Sequence, residues 1–161
     1  MRIGVVADTH GLVRPALLEL LRGCEVILHA GDVGRDVNEA LLRIAPLRVV
    51  QGNNDPSSVG PIYLDLTLGG VRVALTHGHT FSVVNKARVL AAEFPGAQII
   101  IYGHTHRPTR EEIIRPSGLA CVVVNPGAAG PRRFGSRGKA SAAILSTDAG
   151  TFTWTLHYLE P

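Results

Sequence analysis

A chain of 161 residues, 45% apolar and 18% charged, has the length of one domain, can bury about 70% of its unfolded surface and is too apolar to be disordered. Sixteen Lys and Arg against 13 Asp and Glu leave a formal charge of +3, which is not polybasic and points only to anionic partners in general. Fourteen of the sixteen basic residues are Arg, a bias that suits bidentate phosphate recognition and equally follows from codon usage.

Met1 and Arg2 run directly into the apolar stretch 3–7 and then Asp8 and His10, leaving no room for a signal-peptide core and cleavage site, so a cytoplasmic protein is expected. The longest uncharged stretch, 116–131, is broken by Gly and Pro and falls short of the ~20 apolar residues of a membrane span. Cys24 and Cys121 lie far apart, outside any CxxC, and read as small core residues of a reduced protein.

In chain order, a buried strand over 3–7, a helix over 14–22 with Leu17, Leu18, Leu20 and Leu21, and a strand over 26–28 form a β-α-β unit. A helix over 36–45 and a strand over 47–51 extend it into a parallel sheet with right-handed crossovers. After Pro61 the runs 62–68 and 71–76, joined by Gly69-Gly70, predict a hairpin with a primed turn. A helix over 83–94 and a very apolar strand over 98–102 follow. Strands over 110–114, 119–124, 140–146 and 151–158 make the C-terminal half a second, more antiparallel sheet. In the last strand Phe152, Trp154, Leu156 and Tyr158 form the apolar face, with His157 on the polar one. No linker or internal repeat separates the halves, and residues 1–161 read as a single domain.

Five of the apolar runs end in the same manner. Asp8-Thr9-His10, Gly31-Asp32, Gly52-Asn53-Asn54-Asp55, His77-Gly78-His79 and Gly103-His104-Thr105-His106 each follow a strand. Ligands of open α/β sheets bind outside the carboxyl ends of the strands, so these five ends can converge on one crevice. Carboxylate, amide and imidazole without thiolate form a donor set for Mn, Fe, Zn or Ni. Seven candidates, Asp8, His10, Asp32, Asn53, His77, His104 and His106, are too many for one ion and suit two ions sharing a carboxylate. The residues therefore point to a binuclear metal-dependent hydrolase.

The order D-x-H, G-D, G-N-x-D, H-G-H and G-H-x-H resembles the calcineurin-like metallophosphoesterases, and the small YfcE-type phosphodiesterases among them, from Asp8 to the Asn125-Pro126-Gly127 turn. The resemblance implies an α/β fold, a four-layer α/β/β/α sandwich of two mixed sheets flanked by helices. It implies that Asp8, His10, Asp32 and His106 hold one metal and Asp32, Asn53, His77 and His104 the other, with Asp32 bridging. It further implies two divalent transition-metal ions, manganese first, and in-line attack on phosphorus by a metal-bridging hydroxide without a covalent enzyme intermediate. A small phosphate ester is the expected partner, rather than a membrane or a nucleic-acid polymer, and a homo-oligomer is left open.

Many family members carry a His directly after the motif Asn, where this chain has Asn54 followed by Asp55. An amide donates a hydrogen bond to a phosphoryl oxygen but delivers no proton near neutral pH, so diesters with good leaving groups are expected over alkyl monoesters. Asp55 is placed to orient Asn54 or a ligand, and His79 to approach a metal or the substrate phosphate or simply to complete a polar loop. His29, on the strand before Asp32, reads as a core histidine ahead of one that supports a ligand by hydrogen bonding. Asn125-Pro126-Gly127 ends in Ala128 where the family turn usually has Ser, and reads as structural. Pro131, Arg132, Arg133 and Arg137 form a basic loop that suits either solvent or phosphate. The chain lacks a Walker A loop and a GxSxG elbow, and it is too short for a barrel amidohydrolase of about 250 residues. A phosphomonoesterase, and a protein-binding scaffold of the same fold like the retromer subunit, are the alternatives.

Overall fold

A computed structural model describes residues 1–131 and 138–159; the basic positions 132, 133 and 137 singled out above lie outside them. The elements in chain order are β1 (Arg2–Val6), α1 (Pro15–Leu21), β2 (Val26–His29), α2 (Val37–Leu42), β3 (Leu47–Val49), a 3₁₀ turn (Ser57–Val59), β4 (Tyr63–Leu68), β5 (Val71–Thr76), α3 (Lys86–Glu93), β6 (Ile99–Ile101), β7 (Thr109–Ile114), β8 (Ala120–Asn125), β9 (Ser141–Asp148) and β10 (Thr151–Tyr158).

Two five-stranded sheets result, ordered β10-β9-β1-β2-β3 and β4-β5-β6-β8-β7. In the first, β1, β2 and β3 run parallel through the α1 and α2 crossovers, while β9 lies antiparallel against β1. In the second, β5, β6 and β8 are parallel, and β4 and β7 close the edges antiparallel. The turn of the β4–β5 hairpin has Gly69 at φ +56° and Gly70 at +79°, the primed geometry that two glycines accept without strain.

The assignment of the C-terminal strands requires a correction. Strands β7 and β8 do enter the second sheet, but β9 and β10 return to the first. The reason is burial on both faces. Ala142, Ala143, Ile144 and Leu145 of β9 are all buried, and a strand apolar on both faces needs a central place, which β9 finds between β1 and β10.

Alternation within the strands creates three apolar layers. Ile3, Val5, Leu28, Val73, Leu75, Ile99, Ile101 and Leu145 pack between the sheets. Val6, Ile27 and Ile144 face Leu17, Leu21, Val37 and Leu41 of α1 and α2, and Ala74, Ile100 and Val123 face Ala87, Leu90 and Ala91 of α3. The expected α/β/β/α sandwich is the observed one. Cys24 and Cys121 are buried in the two separate helix-facing layers.

Helix α3 is shorter than its pattern suggests, because Asn85 adopts φ +53° and starts it late, leaving Val83 and Val84 exposed in the preceding loop. At the end of β10 the face assignment slips as well: His157 is half-buried and Tyr158 is 56% exposed. Tyr63, Ile114 and Leu119 are exposed apolar side chains near the two edges of the second sheet. Among the described residues no helix is long and apolar enough to cross a membrane.

Candidate metal centre

All seven candidate ligands lie just beyond strand ends of the two sheets, Asp8, His10, Asp32 and Asn53 from the first and His77, His104 and His106 from the second. Five of them, Asp8 (φ +53°), His10 (+46°), Asp32 (+54°), His104 (+68°) and His106 (+58°), have left-handed backbone. Each such non-glycine residue costs of order 1–3 kcal/mol and persists only where its surroundings over-determine it, and such strain clusters at functional sites. Here backbone bonds supply the constraint: Asp8 N–H donates to Gly31 C=O (3.0 Å), His10 N–H to Asp32 C=O (3.0 Å) and Gly11 N–H to Val33 C=O (2.8 Å).

The side chains form two adjoining groups. Asp8, His10 and His106 can bring ligand atoms within 4.8 Å of one another, and so can Asp8, Asp32 and His77. His106 Nε2 lies 3.3 Å from Asp8 Oδ1 and 3.4 Å from His10 Nε2, which is 3.8 Å from Asp32 Oδ2. Asn53 Oδ1 lies 3.0 Å from both His77 Nε2 and His104 Nδ1. His77 Nδ1–H donates to the Ala30 carbonyl (2.7 Å), which turns Nε2 toward Asn53 Oδ1 and Asp32 Oδ2, 3.5 Å away.

In a neutral His77 ring these are acceptors facing acceptors. Burial pulls its pKa down, but the Asp32 and Asp8 carboxylates and the Ala30 carbonyl outweigh it, and the net direction is upward. For Asp32, burial pushes the carboxyl up, while hydrogen bonds from His77 and from the N–H and side-chain amide of Asn54 hold it far below the usual carboxylate range. A divalent cation would satisfy the same atoms. Two buried atoms without a hydrogen-bond partner, Asp8 Oδ1 and His79 Nδ1, support that fit, since orphaned buried acceptors are costly unless something else occupies them. The oxygen and nitrogen donor set fits Mn, Fe, Zn or Ni.

The residues assigned beyond the metal ligands occupy distinct places. The Asn54 N–H donates to Asp32 Oδ1 (2.9 Å) and its Nδ2 to Asp32 Oδ2 (2.7 Å). Asp55 touches neither Asn54 nor a candidate ligand through its carboxylate; its oxygens accept from Val33 N–H and Gly52 N–H (both 2.9 Å) and tie together the two loops that bear Asp32 and Asn53. The His79 ring lies 5.3 Å from that of His77 and 6.3 Å from that of His104, centroid to centroid, and burial followed by the His77 charge lowers its pKa. Gly52 approaches so closely that a Cβ there would collide with Asp32 Oδ1 and with the Asp32 backbone nitrogen.

Three supporting residues carried no sequence signal strong enough to single them out as part of the site. Asn125 Nδ2 donates to Gly103 C=O (2.8 Å) and Thr105 Oγ1 (3.1 Å), bracing the loop of His104 and His106, while its Oδ1 accepts from Gly127 N–H. Lys86 Nζ donates to the Gly78 and Phe81 carbonyls and anchors the loop of His77 and His79. Thr9, between two candidate ligands, is fully buried and hydrogen-bonded to His29.

His29 is a core histidine, 0% exposed, and burial pushes its pKa down to about 4. Its folded pKa lies below the unfolded value of 6.5, so only the unfolded chain takes up this proton as pH falls from 6.5 to about 4, and stability is lost across that window. At 1.36 kcal/mol per unit the loss is about 3 kcal/mol. In EDTA, urea unfolding of the wild type and His29→Asn at several pH values is expected to show the wild type's stability relative to the variant falling by about that amount between pH 7.5 and 4. A constant difference would mean that His29 is not kept neutral in the folded state.

An α/β sandwich with carboxylate, amide and imidazole groups gathered at one rim defines a protein with a candidate metal centre at its strand ends. The profile of the calcineurin-like phosphoesterase superfamily domain matches residues 1–150, and the chain belongs to that family. It is 34% identical over 137 residues to a probable metallophosphoesterase of Methanothermobacter thermautotrophicus, covering 79% of this chain and 76% of that protein. It is 26% identical over 148 residues to a phosphodiesterase of Methanocaldococcus jannaschii, covering 79% and 83%. Among solved structures, a single-substitution variant of Vps29 from Entamoeba histolytica superposes with a TM-score of 0.81 at 20% identity over 99% of this chain and 100% of that one. Wild-type Vps29 of the same organism, complexed with Zn²⁺, gives 0.77 at 18% identity over the same shares.

Proposed function

We propose that residues 1–161 form a single binuclear metal-dependent phosphoesterase domain that hydrolyses small phosphodiesters. The observation that carries this reading is the convergence of seven metal-competent side chains from both sheets, five of them on strained backbone, around acceptor atoms that face one another. Family membership and the phosphodiesterase relative support the reaction class.

Asp8, His10, Asp32 and His106 would hold one divalent transition-metal ion, and Asp32, Asn53, His77 and His104 a second, Mn²⁺ being first choice. When bound, such ions activate water and neutralise charge on the phosphoryl oxygens. Asp32 is assigned to both positions because its Oδ2 lies 3.8 Å from His10 Nε2 and 3.5 Å from His77 Nε2. Asn54, exposed at the rim, offers an amide donor to a phosphoryl oxygen and no proton to a leaving alkoxide. Burial and the His77 charge favour the neutral form of His79, whose ring can orient a phosphoryl oxygen through a nitrogen. Asp55 keeps the two loops in register and touches no reacting atom.

A protein-binding scaffold is the second reading, favoured by the likeness to Vps29. Retention of ligands does not decide against it, because the Entamoeba Vps29 itself is known with Zn²⁺. Turnover does decide. Protein stripped with EDTA and reconstituted with Mn²⁺ is expected to cleave an aryl phosphodiester or 2′,3′-cyclic nucleotides faster than an aryl monoester, with two metal ions bound per chain. Stoichiometric binding with no hydrolysis of any of the three would establish the scaffold reading instead.

A further inference from the structure

The peptide groups flanking Asp32 are tied to the neighbouring loops, and one side chain joins two of these ties. Gly31 C=O, Asp32 C=O and Val33 C=O accept from Asp8, His10 and Gly11, and Val33 N–H donates to Asp55. The remaining links run through Thr9 and His29, both 0% exposed, so water does not reach the network. Gly31 N–H donates to His29 Nδ1 (3.2 Å), which makes that nitrogen the acceptor and places the ring proton on Nε2. Nε2–H then donates to Thr9 Oγ1 (2.8 Å), and the Thr9 hydroxyl, its own proton still free, donates to Val33 C=O (2.7 Å). Each donor has one acceptor, and the direction of every bond follows from the first.

We infer that Thr9, oriented by His29, is a positioning residue of the metal centre: its hydroxyl locks the left-handed turn of Asp8 and His10 to the left-handed turn of Asp32. The inference rests on the metal-centre reading above and adds a role that neither the motif nor the family assignment supplies. Thr9 lies between Asp8 and His10, and its hydroxyl is bonded to the strand end that presents Asp32 from both directions, through Val33 directly and through His29 to Gly31. Without the hydroxyl, His29 Nε2–H loses its acceptor and Val33 C=O loses one donor, so a side-chain link between the turn of Asp8 and His10 and that of Asp32 is gone while the backbone bonds from Asp8, His10 and Gly11 remain. Losing a hydrogen bond that orients ligands typically weakens metal binding ~10- to 100-fold.

The test compares Thr9→Val, which keeps the shape and removes the hydroxyl, with Thr9→Ser, which keeps the hydroxyl. Co²⁺ titration of the EDTA-stripped proteins by calorimetry and by the visible d–d bands of bound Co²⁺ measures the centre without any assay of turnover, at a temperature where circular dichroism shows each protein folded. Thr9→Val is expected to bind ~10- to 100-fold more weakly with altered bands, and Thr9→Ser to bind like the wild type. Should Thr9→Val not fold, His29→Asn carries the same comparison, since its amide oxygen can still accept from Gly31 N–H while the donor to Thr9 is lost. A lower unfolding temperature with unchanged Co²⁺ affinity and bands overturns the inference and leaves the metal centre standing. A wild type that binds no Co²⁺ overturns both.

Discussion

Asp32→Ala is expected to lower kcat/KM for an aryl phosphodiester by about 10³-fold or more and to reduce metal stoichiometry from two to one or none. The magnitude follows from the position of the carboxylate. Asp32 Oδ2 lies 3.8 Å from His10 Nε2 and 3.5 Å from His77 Nε2, and in the proposed assignment this carboxylate serves both ions. Metal-ion catalysis supplies several kcal/mol of transition-state stabilisation, and each 1.36 kcal/mol is a factor of ten in rate. The substitution also removes the acceptor of the Asn54 N–H and side-chain amide, but Asp55 still joins the Gly52 and Val33 backbones, and the rim loop retains that anchor. Circular dichroism of the variant is therefore expected to match the wild type. Metal-dependent hydrolysis that survives the substitution would falsify the shared-carboxylate mechanism.

How far the sequence predicts this site depends on which physical signal each residue carries. A buried strand ending in Asp, Asn or His is visible as a run of apolar residues followed by a polar one, and that signal points to Asp8, Asp32, Asn53, His77 and His104, whose side chains lie close together beyond the strand ends. The layering is visible in the same way, since alternate residues of β5 and β6 must find two different apolar neighbours. Sheet membership of β9 is less visible. Its apolar run demands burial on both faces, but nothing local says that the partner is β1, some 140 residues earlier, and not a neighbouring strand. Left-handed backbone at Asp8, His10, Asp32, His104 and His106 is invisible for a similar reason. Propensity disfavours it at every one of those positions, and at Asp8, His10 and Asp32 it is bonds crossing between loops that impose it. Thr9 shows the limit most plainly: between two chemically loud neighbours it looks like a spacer, and its role depends on Val33 and His29, which reach it only in the folded chain.

Asn54 has the same local dependence, and its substitution gives the second large expected effect. The side chain is turned toward Asp32, where Nδ2 donates to Oδ2, yet the residue is exposed, so an imidazole at this position has room and can replace that bond or turn toward substrate. An aryl diester expels a stable phenolate and needs no proton. An alkyl monoester expels a strongly basic alkoxide, for which a general acid contributes typically ~10²- to 10⁴-fold. Asn54→His is therefore expected to raise alkyl-monoester turnover relative to aryl-diester turnover by roughly 10²-fold. The gain should fade as pH rises through the new imidazole's pKa, because only the protonated ring can donate. Asn54→Ala separates this from a general loosening of the rim: it removes the amide without supplying an acid, so both substrates should slow together and their ratio should hold. The Asn54 N–H to Asp32 Oδ1 bond is made by the backbone and persists in both variants, which keeps the shared carboxylate in place. An unchanged ratio in Asn54→His, with two metal ions still bound, would mean that leaving-group protonation is not what limits monoester cleavage at this centre, and that the preference for diesters must come from how the rim accommodates the second ester arm.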